Sequence, residues 1–149
     1  MMKKIEDIIT ANFKDEHHKA IINIRYTSNY IGVFYNGQLE AFDLTLAQFN
    51  ILRILRGTKE KISIKTVKNR MVEKSPNTTR LIDKLIAKDF VKRSRSEVDR
   101  RVVHIEITKL GLETLAELDV KFEDNYFNKN LTQEEVQTLN HLLNKFRNE

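Results

Sequence analysis

From Ser75 to Leu85 the chain reads Ser-Pro-Asn-Thr-Thr-Arg-Leu-Ile-Asp-Lys-Leu, and its polar residues are the ones that can do chemistry. Turned at 100° per residue, Thr78, Leu81, Ile82, Leu85 and Ile86 form one apolar stripe. Arg80 points nearly opposite that stripe with Lys84 nearby, and Asn77 and Thr79 flank it. These are side chains suited to base edges in a DNA major groove. Arg pairs with guanine, Asn with adenine, and Thr meets a base or the thymine methyl. Ser75 and the backbone N–H groups of the first turn suit a phosphate. Downstream, Arg95, Arg100 and Arg101 sit where a hairpin tip can reach the adjacent minor groove, whose negative potential attracts Arg. Asp99 is the wrong charge for DNA contact. Its role is structural, fixing the hairpin and orienting the Arg101 guanidinium two residues on.

The charge distribution agrees with this placement. Ser63 to Arg101 holds twelve basic residues against five acidic ones, a net of +7, which leaves −2 for the rest of a chain whose total is +5. Lys65 and Lys68 on the preceding short helix join the DNA-binding set. A basic middle between near-neutral flanks marks a polyanion-binding module. Charge alone is equally compatible with a solvated surface.

The elements that must carry these residues are legible from period and capping. A long helix from about Asp15 to Tyr35 is apolar on two faces (Ile21, Ile24 and Ile31; Ile22, Tyr26 and Val33), and Asn36-Gly37 is expected to break it. A second helix opens with the capping box Thr45–Gln48, stapled by Leu44 and Phe49, and Gly57 is expected to stop it. A short helix follows Ser63, with Val67 and Met71 inward. The next is expected to start at Ser75-Pro76, with Ser as cap and Pro in the first helical position. Asp89 stands where Gly often ends a helix. The period then changes to that of two strands, 90–95 and 102–107, joined by the charged loop 96–101. Thr108 caps a helix carrying Leu112, Leu115, Leu118, Phe122 and Tyr126. A last helix opens with the capping box Thr132–Glu135, stapled by Leu131 and Val136, and carries Leu139, Leu142, Leu143 and Phe146. The fold class is mainly α with a small β-hairpin wing (α+β), a winged helix-turn-helix in outline.

Composition bounds the rest. A chain of 149 residues, 40% apolar and 32% charged, is one domain, too apolar for disorder and too charged for a membrane protein. The absence of Cys excludes disulfides, thiolate metal sites and thiol redox sensing. The early acids in Met1-Met2-Lys3-Lys4-Ile5-Glu6-Asp7 argue against a signal peptide, so a cytoplasmic location is expected. His17 and His18 are adjacent and cannot chelate as an i, i+4 pair could, and His104 and His141 are isolated, so no metal is expected. There is no Gly-rich phosphate loop, HExxH or GxSxG, so neither catalytic residues nor a cofactor are expected. Phe90 is the only aromatic in the basic segment, which argues against single-strand binding.

The run from Ser75 to Leu85, then Phe90-Val91-Lys92-Arg93, Asp99-Arg100-Arg101 and Ile105-Glu106-Ile107-Thr108-Lys109-Leu110-Gly111, resembles the MarR family of dimeric winged-helix regulators. The segment from Leu44 to Leu52 matches that family's second helix. The resemblance implies a homodimer on double-stranded DNA, with residues 1–36 and 109–149 as dimerisation helices and 37–108 as the DNA-binding lobe. It makes the helix from Ser75 the recognition helix and Arg101 the wing residue in the minor groove. It implies a repressor on a near-palindromic operator, with room for release by a small aromatic acid or phenol. Arg25, Tyr26, Tyr30 and Phe49 are the candidate pocket residues, with Arg25 facing a carboxylate. Core or dimer packing is the competing reading of the same aromatics. The alternative function is a winged helix used for non-specific DNA binding or protein–protein contact.

Overall fold

The computed structural model describes residues 2–123 and 127–148. In chain order the elements are α1 (Ile5–Ile8), α2 (Glu16–Leu39), α3 (Leu46–Thr58), β1 (Ile62–Ser63), α4 (Ile64–Arg70), α5 (Thr78–Ala87), β2 (Val91–Arg95), β3 (Val103–Ile107), α6 (Lys109–Glu123) and α7 (Gln133–Arg147). Short 3-10 turns follow α2 at Glu40–Phe42 and precede α7 at Phe127–Asn130. Tyr126, expected on the inner face of α6, lies outside the described residues.

Local capping chemistry sets most helix starts. Asp15 Oδ1 accepts from the His18 N–H at 2.8 Å. Both capping boxes form: Thr45 with Gln48 at 3.2 and 3.0 Å, and Thr132 with Glu135 at 3.3 and 2.7 Å. Ser63 Oγ accepts from the Thr66 N–H at 3.1 Å. Thr108 Oγ1 accepts from the Gly111 N–H at 3.1 Å.

Helix ends depart from the sequence expectations in three places. The first is Asn36-Gly37, which does not break α2; the helix continues to Leu39 and ends through Asp43 in the left-handed region, φ 51°. An Asn-Gly pair in a helix costs on the order of 1 kcal/mol. Against that, Tyr35 packs on Phe122 with ring centroids 4.7 Å apart, Phe49 packs on Phe122 at 5.3 Å, and Leu39 is fully buried. Burying one such side chain is worth about 1.5–3 kcal/mol, so packing wins. The second is Gly57, which stays helical while Lys59 takes the left-handed turn at φ 56°. Thr58 Oγ1 steadies that exit by donating to the Leu55 carbonyl at 2.9 Å. The third is the start of α5, which begins at Thr78 and not at Ser75-Pro76. Ser75 Oγ accepts from the Asn77 N–H at 3.2 Å, and the Thr78 hydroxyl donates to the Ser75 carbonyl at 2.9 Å. Residues 75–77 therefore form a turn in front of the helix.

The sheet has three antiparallel strands in the order β1-β3-β2. The third strand, β1, adds to the expected hairpin. Ile62 pairs with Ile105 and Ser63 with His104, while Val91 pairs with Ile107 and Arg95 with Val103. The core joins α3, α4, α5, α6 and the sheet through Phe49, Leu52, Val67, Ile82, Leu85, Ile105 and Leu118, all 2% exposed or less. Outside it, α2 and α7 present large apolar side chains to the surface, among them Val33, Leu139, Leu142 and Phe146. No residue of α7 is buried. Arg56 of α3 makes a forked pair with Asp119 of α6, at 2.6 and 3.4 Å.

Candidate nucleic-acid interface

The helix-turn-helix is α4 and α5. Val67 and Met71 anchor the first helix in the core. Lys74 Nζ donates to the Asn69 carbonyl at 2.9 Å, satisfying an acceptor at the end of α4, where a cation is also favoured. In α5, Thr78, Ile82 and Leu85 are buried, while Asn77, Thr79, Arg80 and Lys84 are exposed; Ser75 is half-buried. The inward stripe holds the outward residues on a fixed helix face.

Asp89 ends α5 in the left-handed region at φ 60°. The Phe90 N–H donates to the Leu85 carbonyl and the Asp89 N–H to the Ile86 carbonyl, both at 3.0 Å. This is a Schellman closure with Asp in place of the usual Gly. Thr108 reinforces it: its hydroxyl donates to the Asp89 carbonyl at 2.6 Å and its N–H to the Phe90 carbonyl at 3.0 Å. The turn into the wing is thereby fastened to the start of α6.

In the wing loop, the Ser96 N–H donates to the Val102 carbonyl at 3.0 Å and the Val102 N–H to the Asp99 carbonyl at 2.9 Å. Asp99 Oδ1 accepts from the backbone N–H of Arg101 at 2.9 Å. The carboxylate thus acts on the Arg101 backbone, where the sequence also suggested its guanidinium. Ser96 Oγ accepts from the N–H groups of Val98 and Asp99 at 3.2 and 3.3 Å. Arg95, Arg100 and Arg101 are exposed around this loop, and Val98 stands at its tip almost fully exposed.

The cations divide into two sets. Lys92 pairs with Glu106 at 3.0 Å, Lys61 approaches the same carboxylate at 3.9 Å, Lys88 pairs with Asp43 at 2.8 Å, and Arg93 pairs with Asp83. Lys88 holds the Asp43 carboxyl below the usual carboxylate range through its hydrogen bond and its charge. Lys65, Lys68, Arg70, Arg80, Lys84, Arg95, Arg100 and Arg101 are exposed and have no side-chain hydrogen bond or ion pair among the described residues. Sequence alone could not make this division, because the pairs join residues far apart in the chain.

The four candidate pocket residues separate. A largely apolar cavity of about 810 Å³ lies between α2, α3, α7 and the turn at Val72-Glu73, and Phe49 is the one candidate lining it. Arg25 lines an adjoining concavity of mixed character, with Asn29, Asn36 and Thr45 beside Ile24 and Leu46. Tyr26 is half-buried and Tyr30 exposed, and neither lines either space. The missed residues are Tyr35 and Arg53; the Arg53 guanidinium carbon stands 5.7 Å from the Phe49 ring centroid. Spacing could have found Arg53, one turn after Phe49 on the same face. Among the described residues no three His, Asp or Glu side chains gather as a metal site, and no helix is long and apolar enough to cross a membrane.

Comparison with known proteins gives consistent results. A family model described as MarR family matches residues 44–103. The transcriptional regulator SarZ of Staphylococcus aureus is 32% identical over 117 residues, covering 76% of this chain and 74% of SarZ. A cysteine-to-serine variant of MarR from E. coli, solved with operator DNA, superimposes with a TM-score of 0.73 at 27% identity, covering 91% of this chain and 99% of that one. The organohalide-sensing regulator RdhR, solved with 2,4-dichlorophenol bound, shares the fold with a TM-score of 0.77 at 18% identity, covering 90% of this chain and 80% of that one.

Proposed function

The chain belongs to the MarR family of DNA-binding transcriptional regulators, and from that premise we propose that it works as a homodimeric repressor on a near-palindromic operator, in the cytoplasm. Residues 1–36 and 109–149 form the dimerisation layer, and 37–108 form the DNA-binding lobe. The apolar side chains that α2 and α7 leave exposed support this division. Two-fold symmetry then sets the two recognition helices about 34 Å apart, one turn of B-DNA.

The observation that carries the reading is the set of eight exposed cations on α4, α5 and the wing that make no side-chain hydrogen bond or ion pair among the described residues, Lys84 alone acting on Asp43 through its charge. Asn77, Thr79, Arg80 and Lys84 read bases in the major groove, with Ser75 at a phosphate. Lys65 and Lys68 hold the backbone, and Arg95, Arg100 and Arg101 enter the minor groove from a loop that Asp99 keeps folded. If each dimer neutralises on the order of 6–10 phosphates, the salt slope is about −5 to −9. The apolar cavity beside Val72-Glu73 suits a small aromatic or phenolic effector, with Arg53 in the place expected for Arg25. RdhR with its dichlorophenol is a precedent on the same fold.

The test is a duplex selected from a random 30-base-pair pool, followed by Arg80→Ala and Arg101→Ala. Arg80→Ala should relax preference at one base position by about 1–3 kcal/mol, and Arg101→Ala should weaken binding more evenly across sequences. If both variants bind like wild type, the groove assignment is wrong, and the alternative of non-specific DNA binding or protein contact takes its place.

A further inference from the structure

Asp83 is an acid on the recognition helix, next to Lys84, in the segment of +7 net charge. For DNA binding alone it is a liability. Its carboxylate is committed to Arg93 of β2, joining recognition helix to wing. The strand pleat explains the reach. Lys92 faces Glu106 across the sheet on one side, so Arg93, one residue on, takes the opposite side, toward α5.

The wing is already fastened once, at the Asp89 turn held by Thr108. One fastening makes a pivot. Asp83 lies six residues before Asp89, about 9 Å up the helix at 1.5 Å per residue. A second fastening there sets an angle. We propose that the Asp83–Arg93 pair is a positioning latch that fixes the wing's angle to the recognition helix, so that base readout by α5 and minor-groove contact by the wing hold on the same register of DNA. The inference rests on the groove assignment above. Both side chains are about half exposed, and exposed pairs add little to folding stability, so the latch acts on recognition more than on folding.

The consequence runs against simple electrostatics. Asp83→Asn removes a negative charge from the DNA-facing segment, and charge alone would tighten every duplex equally. The latch requires instead that preference for the selected duplex over a scrambled one of equal length falls about tenfold or more. Binding to the scrambled duplex stays equal or rises, and Tm is unchanged. The charge-swapped double variant, Asp83→Arg with Arg93→Asp, should return preference to within about threefold of wild type. Should Asp83→Asn fold poorly, Asp83→Glu against Arg93→Ala carries the same comparison, with preference kept in the first and lost in the second. Unchanged preference in Asp83→Asn, or loss in the swapped variant with Tm intact, overturns the latch while leaving the groove assignment standing. No preference in wild type overturns both.

Discussion

Gly111→Ala tests the joint between wing and frame. Gly111 is buried in the first turn of α6. A Cβ built there would stand 2.6 Å from the Phe90 carbonyl oxygen and 2.7 Å from Ile107 Cγ1. Neither neighbour yields easily. The Phe90 carbonyl already accepts from the Thr108 N–H at 3.0 Å, and Ile is stiff at χ1. Helix propensity favours Ala over Gly by about 1 kcal/mol, whereas overpacking a tight site costs about 1–3 kcal/mol. The clash involves backbone, so the upper half of that range applies, and the net expectation is a loss of about 1–2 kcal/mol. At roughly 2–4 °C per kcal/mol for a chain this size, Tm should fall by about 2–8 °C. Gly57→Ala is the control: Gly57 is also helical, but nothing lies within 4 Å of its added Cβ. Propensity acts alone there, and Tm should rise by up to about 2–4 °C. Far-ultraviolet circular dichroism at fixed protein concentration measures both. Gly111→Ala melting at or above wild type would refute the close packing of α6 on the Phe90 turn.

Other expectations follow from single contacts. Asp99→Ala should speed amide exchange at Arg101 and Val102 and weaken operator binding, although it makes the wing more positive; exchange measured by mass spectrometry with no change in the loop would remove Asp99 as its fastener. Arg56→Ala and Asp119→Ala should each cost no more than about 1 kcal/mol, because the pair is partly solvated, and a double-mutant cycle in urea should give a coupling of about 0.5–1 kcal/mol. The Asp43 and Glu135 carboxyls are held below their ordinary values, by Lys88 and by the Thr132 backbone N–H respectively. Their contributions are present above the ordinary carboxylate range and are lost as pH falls through the lowered folded values. These two groups therefore add no pH dependence above about pH 5 and lower Tm below about pH 4. A Tm that rises on acidification would contradict this sign.

What sequence disclosed was the chemistry that acts over one helical turn. The caps at Thr45, Ser63, Thr108 and Thr132 and the apolar stripe of α5 are of this kind, because an N-cap and its partner lie three residues apart. Of the misjudged features, the exit near Gly57 and the start of α5 turn on contacts within three residues, whereas the rest depended on distant partners. Asn36-Gly37 reads as a break until Phe122 is placed against Tyr35. The two residues of β1 are too few to show a period and become a strand only beside β3. Likewise Arg25 and Arg53 are equally good anion partners in sequence, and only the crossing of α2 and α3 puts Arg53 in the larger cavity. The DNA-contact candidates were found as types; which cations are already spent internally was not, since Asp83–Arg93 and Asp43–Lys88 span ten and forty-five residues.

The most direct test of the interface is fluorescence anisotropy at about 150 mM salt, where weak surface charge effects are screened. Wild-type protein is titrated onto its selected duplex and onto a scrambled duplex of equal length. A preference of about a hundredfold or more is expected, because base contacts by α5 discriminate the two duplexes while phosphate contacts are common to both. Equal, salt-sensitive binding to both duplexes would contradict sequence reading by this face and leave only a basic surface.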